Sequence, residues 1–169
     1  FKIFIGYQNK VCTNLCVSSD GFTNKVRISS VNELHTDMYN LFSNYDRIKH
    51  LSIMEKMNQF HLNENQFAHL IGKIRMYQHL EKEDQKSKGR FLLNDGQMNS
   101  VVKDYYNCPN FSRDEKKNIS LWNLYNIFTE ANKSSYIDSN LERNVNAYEF
   151  INMTANSLQN NQSNWFLQL

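Results

Sequence analysis

The stretch Leu121–Phe150, LWNLYNIFTEANKSSYIDSNLERNVNAYEF, holds the densest apolar patterning in the chain. Leu121, Trp122, Leu124, Tyr125 and Phe128 recur at helical spacing and predict an amphipathic helix facing the core. Asn132-Lys133-Ser134-Ser135-Tyr136 then forms a polar elbow. A second helix is predicted from near Asn144, with Tyr148 and Ile151 inward. After the core positions are assigned, Asn132 to Asp138 and Arg143 remain for function or for caps and turns.

Working outward to the N-terminal side, residues 1–29 alternate as strands. FKIFIGYQ sets Ile3, Ile5 and Tyr7 against Lys2, Gly6 and Gln8, and Val11–Val17 and Phe22–Ile28 follow it. Ser18-Ser19-Asp20-Gly21 carries the Asp-Gly signal of a tight hairpin. The expectation is an α+β fold: a small antiparallel sheet of three N-terminal strands, then a helical body of five to six helices, in a single domain spanning 1–169. The chain opens at Phe1 without Met, inside a strand by pattern, so upstream sequence is expected and the chain reads as the C-terminal part of a longer protein.

Ser30 with Glu33, and Asn63 with Gln66, are capping-box spacings that start helices. The first predicts Leu34, Met38, Leu41, Phe42 and Tyr45 facing inward. The pattern breaks at Asn44-Tyr45-Asp46 and resumes with Ile48, Leu51, Met54 and Met57. The Asn63 helix puts Phe67, Leu70, Ile71, Ile74 and Tyr77 on one face. Glu81–Arg90 is the most charged segment and reads as a solvated loop. Asn94 or Asp95 caps a helix to about Tyr106, followed by a polar loop to Asn118. Trp165-Phe166-Leu167 is expected to dock on the core, because exposing it would be costly.

Composition bounds the function classes. The chain has 169 residues, 40% of them hydrophobic, which is enough for one packed core. The net charge of +2 neither demands nor excludes a nucleic-acid partner, since a local patch matters more. No apolar run reaches membrane-helix length, so no membrane is expected as a partner. Three cysteines at irregular spacing do not form a disulfide framework, which points to a cytoplasmic location. The 25 asparagines make the five Asn-x-Ser/Thr patterns expected by chance.

No phosphate-binding loop, dinucleotide fingerprint or serine-nucleophile elbow occurs, and no cofactor is implied. Cys12 and Cys16, four apart on a strand, would lie about 13 Å from each other, too far to share one zinc. The five histidines have no ligand spacing and read as ordinary surface or satisfied histidines. Glu130, Asp138 and Glu142 could converge on a divalent metal, but pairing with Lys133 and Arg143 is the simpler reading. Enzymatic activity therefore has little to carry it.

A nucleic-acid reading has more. Lys25 and Arg27 project from the polar side of the third strand, and Lys73 and Arg75 sit in one helix. Lys133, Ser134 and Ser135, with Arg143 close behind, offer charge and hydroxyls at the elbow. This is the chemistry of phosphate contacts. The expectation is a single-stranded DNA-binding accessory in replication or recombination. The alternative is a homo-oligomeric interaction module built from the first strand and the Trp165–Leu167 tail, and a third reading is a metal-dependent enzyme using Glu130, Asp138 and Glu142.

VCTNLCVSSDG (Val11–Gly21), QFAHLIGKIRMYQ (Gln66–Gln78), QMNSVVKDYY (Gln97–Tyr106) and LWNLYNIFTEANKSSYID (Leu121–Asp138) together resemble the domain-of-unknown-function family thirty-eight seventy-one. Cys12, Asn14, Arg27 and Trp122 give a more distant likeness to the phage- and plasmid-like family nine thirty-two, although Ser29-Ser30 replaces its usual histidine. The resemblance implies a bacterial or mobile-element protein and carries no catalytic residues. Three antiparallel strands before a long helix is also the order of single-strand annealing proteins, a likeness of topology alone.

Overall fold

The computed structural model describes residues 3–8, 15–21, 30–88, 91, 93–108, 111–135, 137–162 and 164–168. Among these the chain is mostly helical, 72%, with eight α-helices and two short β-ribbons. This corrects the expected α+β architecture. In place of three N-terminal strands there is a ribbon of two residues per strand, β1 (Tyr7–Gln8) pairing antiparallel with β2 (Leu15–Cys16). Phe22–Ile28 lies outside the described residues.

The reason is visible in the burial of the second segment. Cys16, Val17 and Ser18 are three consecutive buried residues. A half-buried strand buries every second residue, so alternation does not govern here. The segment is wedged into the helical body, and its Asp-Gly turn closes as a 3-10 turn, Ser19–Gly21. Backbone must approach backbone closely for this. The Ile5 amide donates to the Gly21 carbonyl at 2.7 Å, and a Cβ at Gly21 would lie 2.4 Å from the Ile5 carbonyl oxygen.

Helices α1 (Val31–Asn44) and α2 (Arg47–Gln59) are separated at Tyr45-Asp46, where Asp46 caps α2 by accepting from the Lys49 amide. Next come β3 (His61–Asn63) and α3 (Glu64–Tyr77), whose Asn63–Gln66 capping box is complete. The charged segment is not a loop. It contains α4 (Lys82–Lys88), and Gln85 donates its side-chain amide to the carbonyls of Tyr77, the last residue of α3, and of Leu80 just beyond it. The short charged helix thus helps to close the C-terminal end of α3, where carbonyls lack intrahelical partners.

Helix α5 (Asp95–Asn107) is capped by Asn94. The expected polar loop before Asn118 is instead α6 (Arg113–Lys117) and β4 (Asn118–Ser120). Last come α7 (Leu121–Asn132) and α8 (Ile137–Gln159), which begins seven residues before Asn144.

β3 and β4 form the second ribbon, pairing His61 with Ser120, Leu62 with Ile119 and Asn63 with Asn118. Leu62 and Ile119 are fully buried. Each strand ends in a helix cap: Asn63 starts α3, and Ser120 accepts from the Asn123 amide to start α7.

Helix α7 is the centre. It packs on α8, α5 and α2, and buries Leu121, Leu124, Tyr125, Ile127, Phe128 and Ala131. Phe91, Phe128, Phe150 and Phe166 form a chain of ring contacts along this core. The C-terminal tail docks as expected: Phe166 is fully buried against Tyr77 and Phe150. α8 ends with Asn161 in the left-handed region (φ 51) and the Gln162 amide returning to the Ser157 carbonyl, a pattern that satisfies the last carbonyls of a helix.

The first two helices depart from expectation. Leu41 is the buried residue of α1, while Phe42 stays 63% exposed. α2 buries His50, Ile53 and Met57, leaving Ile48 and Leu51 exposed.

Candidate functional site

Two polar clusters stand out. The first is buried between the N-terminal segment and the helical body. His50 places Nε2 3.2 Å from the Ser18 hydroxyl and Nδ1 2.7 Å from the Tyr148 hydroxyl. Tyr45 stacks on its ring at 4.8 Å. A serine, a histidine and an orienting third group are the parts of an activated nucleophile. Here all three are sealed: Ser18, His50 and Tyr148 are at most 3% exposed. No substrate reaches Ser18. The cluster works as a polar peg that fixes the β2 segment to α2 and α8 with each buried group satisfied.

Cys16 lies beside it and is equally inert. Burial pushes its thiol from 9.0 up to about 12, against the opposing pull of a hydrogen bond with Tyr125. Tyr125 is raised well above its usual value too, first by its own burial and then by Cys16. A thiol this far from ionisation is a poor nucleophile and metal ligand. Cys108 is half-buried and free, and Cys12 lies outside the described residues.

The second cluster is the elbow between α7 and α8. The turn closes through backbone bonds from Lys133 to Glu130, Ser134 to Ala131 and Ser135 to Asn132. Behind it runs an asparagine network. Asn132 donates to Asn144, Asn144 to Asn140, and Asn140 to the Asn132 carbonyl.

Gln97, buried in the first turn of α5, joins this elbow to the rest of the molecule. Its side-chain oxygen accepts from the Asn94 amide and from Arg143 at 2.8 Å. Its side-chain nitrogen donates to the Ser135 hydroxyl at 2.7 Å. Two residues earlier, Asp95 lies 3.9 Å from Arg75 of α3, with both side chains largely exposed.

The structure therefore sorts the predicted phosphate-binding residues. Arg75, Ser135 and Arg143 are drawn to the first turn of α5, and Lys133 shares the elbow. Lys73 turns away and lies over the Trp165 ring at 4.8 Å. Ser134 is spent on the turn, donating to the Ala131 carbonyl at 2.8 Å. Lys25 and Arg27 lie outside the described residues.

The acidic trio is not assembled as a metal centre in the described part. Glu130 pairs with Lys133 at 2.7 Å. It also adds to burial in raising the Asp104 carboxyl. Among the described residues no group of three metal-ligating side chains occurs, and the Asp138 side chain lies outside them. None of the described helices is long and apolar enough to cross a membrane.

Sequence reasoning missed Gln97 and His50. Gln97 stands three residues after Asn94, so its capping role was readable, but its second role, gripping Arg143 and Ser135, depends on tertiary placement. His50 had no signal, because its partners are 32 and 98 residues away.

The chain matches, over residues 1–167, the family described as "Domain of unknown function, B. Theta Gene description (DUF3871)". It belongs to that family. No curated protein and no solved structure matches it. The match spans both clusters, the peg at Ser18–His50–Tyr148 and the elbow around Gln97.

Proposed function

We propose that this member of the DUF3871 family binds the sugar-phosphate backbone of single-stranded DNA through the elbow face, using Arg75, Lys133, Ser135 and Arg143. The observation that carries this reading is that Arg75 of α3, Arg143 of α8 and Ser135 of the elbow turn meet at the first turn of α5, with Lys133 in the same turn. Gln97 holds one Nη of Arg143 and so orients a planar, permanently charged donor set. Arg75 and Lys133 add charge at exposed positions. Phosphates bind to such mixtures of guanidinium, ammonium and hydroxyl donors. The reading rests on these side chains alone, since the strand order that gave the likeness to annealing proteins is not the order observed.

The competing charges are Glu130 beside Lys133 and Asp95 beside Arg75. A phosphate at Lys133 must displace Glu130 or sit beside it. That makes the reading sharp enough to test with a fluorescently labelled oligonucleotide and anisotropy. With about three cations engaged, the salt slope should be about −2, a roughly 15- to 20-fold loss of affinity between about 50 and 200 mM salt. Arg75→Ala and Lys133→Ala should each weaken binding, and Glu130→Gln should strengthen it. Absence of binding at low salt, or binding indifferent to all three changes, would sink the proposal. Equal competition by duplex would remove the single-strand preference.

A further inference from the structure

Helix α1 places its apolar residues where the fold does not use them. Val31 is 69% exposed, Met38 37%, Tyr39 72% and Phe42 63%. The helix has 14 residues and one buried side chain, and among the described residues its main packing partner is the Ser19–Gly21 turn. Isolated helices of that length are marginal in water, and most of their stability comes from packing an amphipathic face. Among the described residues, α1 therefore has no partner that covers this pattern.

The pattern also says what kind of partner. Val31, His35, Met38 and Phe42 are spaced four, three and four residues apart. This is the alternating step by which one helix lays a seam along another. Tyr39 widens the seam on its outer side. At 100° per residue, Glu33 and Asp37 fall on the far side of the helix. The seam itself carries no fixed charge. A strongly charged partner would find nothing to pair with there. An identical helix would meet no like charge across a two-fold axis, which is the condition for a self-complementary contact.

We infer that the exposed α1 seam is a dimerisation surface whose occupant is α1 of a second copy of this chain. His35 sits at a central seam position, where a polar residue fixes register at some cost in affinity. The exposed parts of the seam amount to roughly 500 Å² per copy, short of the about 800 Å² per partner of a standard interface. The contact is accordingly weak and concentration-dependent, with a dissociation constant on the order of 10–100 µM. Nothing in it involves the elbow face, so it stands or falls independently of DNA binding.

Sedimentation velocity on the chain between about 5 and 500 µM reads this directly. The expected result is a monomer at the low end and a dimer at the high end. Phe42→Glu should abolish the dimer while leaving the helical circular-dichroism spectrum and the melting midpoint of the dilute protein unchanged. Asn40→Glu, on the opposite side of α1, should dimerise like the parent. A chain that stays monomeric throughout overturns the inference. A dimer that Phe42→Glu does not weaken also overturns it, because self-association then runs through another surface.

Discussion

Helices α1 and α7 have nearly the same length, 14 and 12 residues, and both segregate apolar from polar residues. α7 buries eight residues and α1 buries one. The difference lies in what the neighbours offer. α7 begins at a ribbon strand, is capped by Ser120, and enters a space walled by α2, α5 and α8. α1 begins with an equally good cap, Ser30, but among the described residues its main neighbour is a short turn. Amphipathicity announces that a helix needs a partner and does not say whether the same chain supplies it.

The largest effect should come from breaking the α7 side. Phe128→Ala removes a fully buried ring that contacts Phe91 and Phe150. It should cost about 3–5 kcal/mol in urea unfolding. A loss below about 1 kcal/mol would mean that the α7 environment is as loose as that of α1.

A second measurement sharpens how closed the α7 environment is. Below pH 9 the Cys16 thiol is protonated in both folded and unfolded chains, so it does not tilt the balance. Above that, the unfolded chain releases the proton first, because the folded value is raised to about 12. Stability should therefore fall as pH climbs from 9 toward about 12, by on the order of 4 kcal/mol from this group. The Cys16→Ala variant should show a shallower decline across that window. Parallel melting curves for the two proteins would contradict the sealed environment.

The smallest effect should lie on α1. Tyr39→Ala on the 72% exposed ring should change the stability of the dilute protein by no more than about 0.5 kcal/mol. A cost near that of Phe128→Ala would show that α1 is covered within its own chain, and the contrast between the two helices would collapse.

What the sequence revealed follows the same division. Helix starts were legible wherever a cap writes itself locally, as at Ser30, Asn63 and Asn94. The core face of α7 and the docking of Phe166 were legible because large apolar residues recur without competition. The N-terminal sheet was misread because Cys16, Val17 and Ser18 are buried together by helices far along the chain, which no local alternation can record. α4 was missed because its purpose, delivering Gln85 to the end of α3, lies outside its own composition. At the elbow, Ser135 and Arg143 meet at Gln97, whereas Lys73 lies over Trp165 and Ser134 closes the turn, and the composition that singled out all four records none of these contacts.

The ribbon of β3 and β4 has a consequence for how the chain finds its fold. It joins His61 to Ser120, so closing it encircles α3 to α6 at an entropic cost of roughly 3–4 kcal/mol. Little in six residues would repay that, except that the closing strands are also the starts of two helices. A slip of one residue in the pairing would turn Leu62 or Ile119 out to water and carry the Asn63 or Ser120 cap out of place. Correct registry is thus checked at two helix starts and two core positions together. The chain has in these six residues a proofreading step, passed only when both halves of the helical body are already near their final positions.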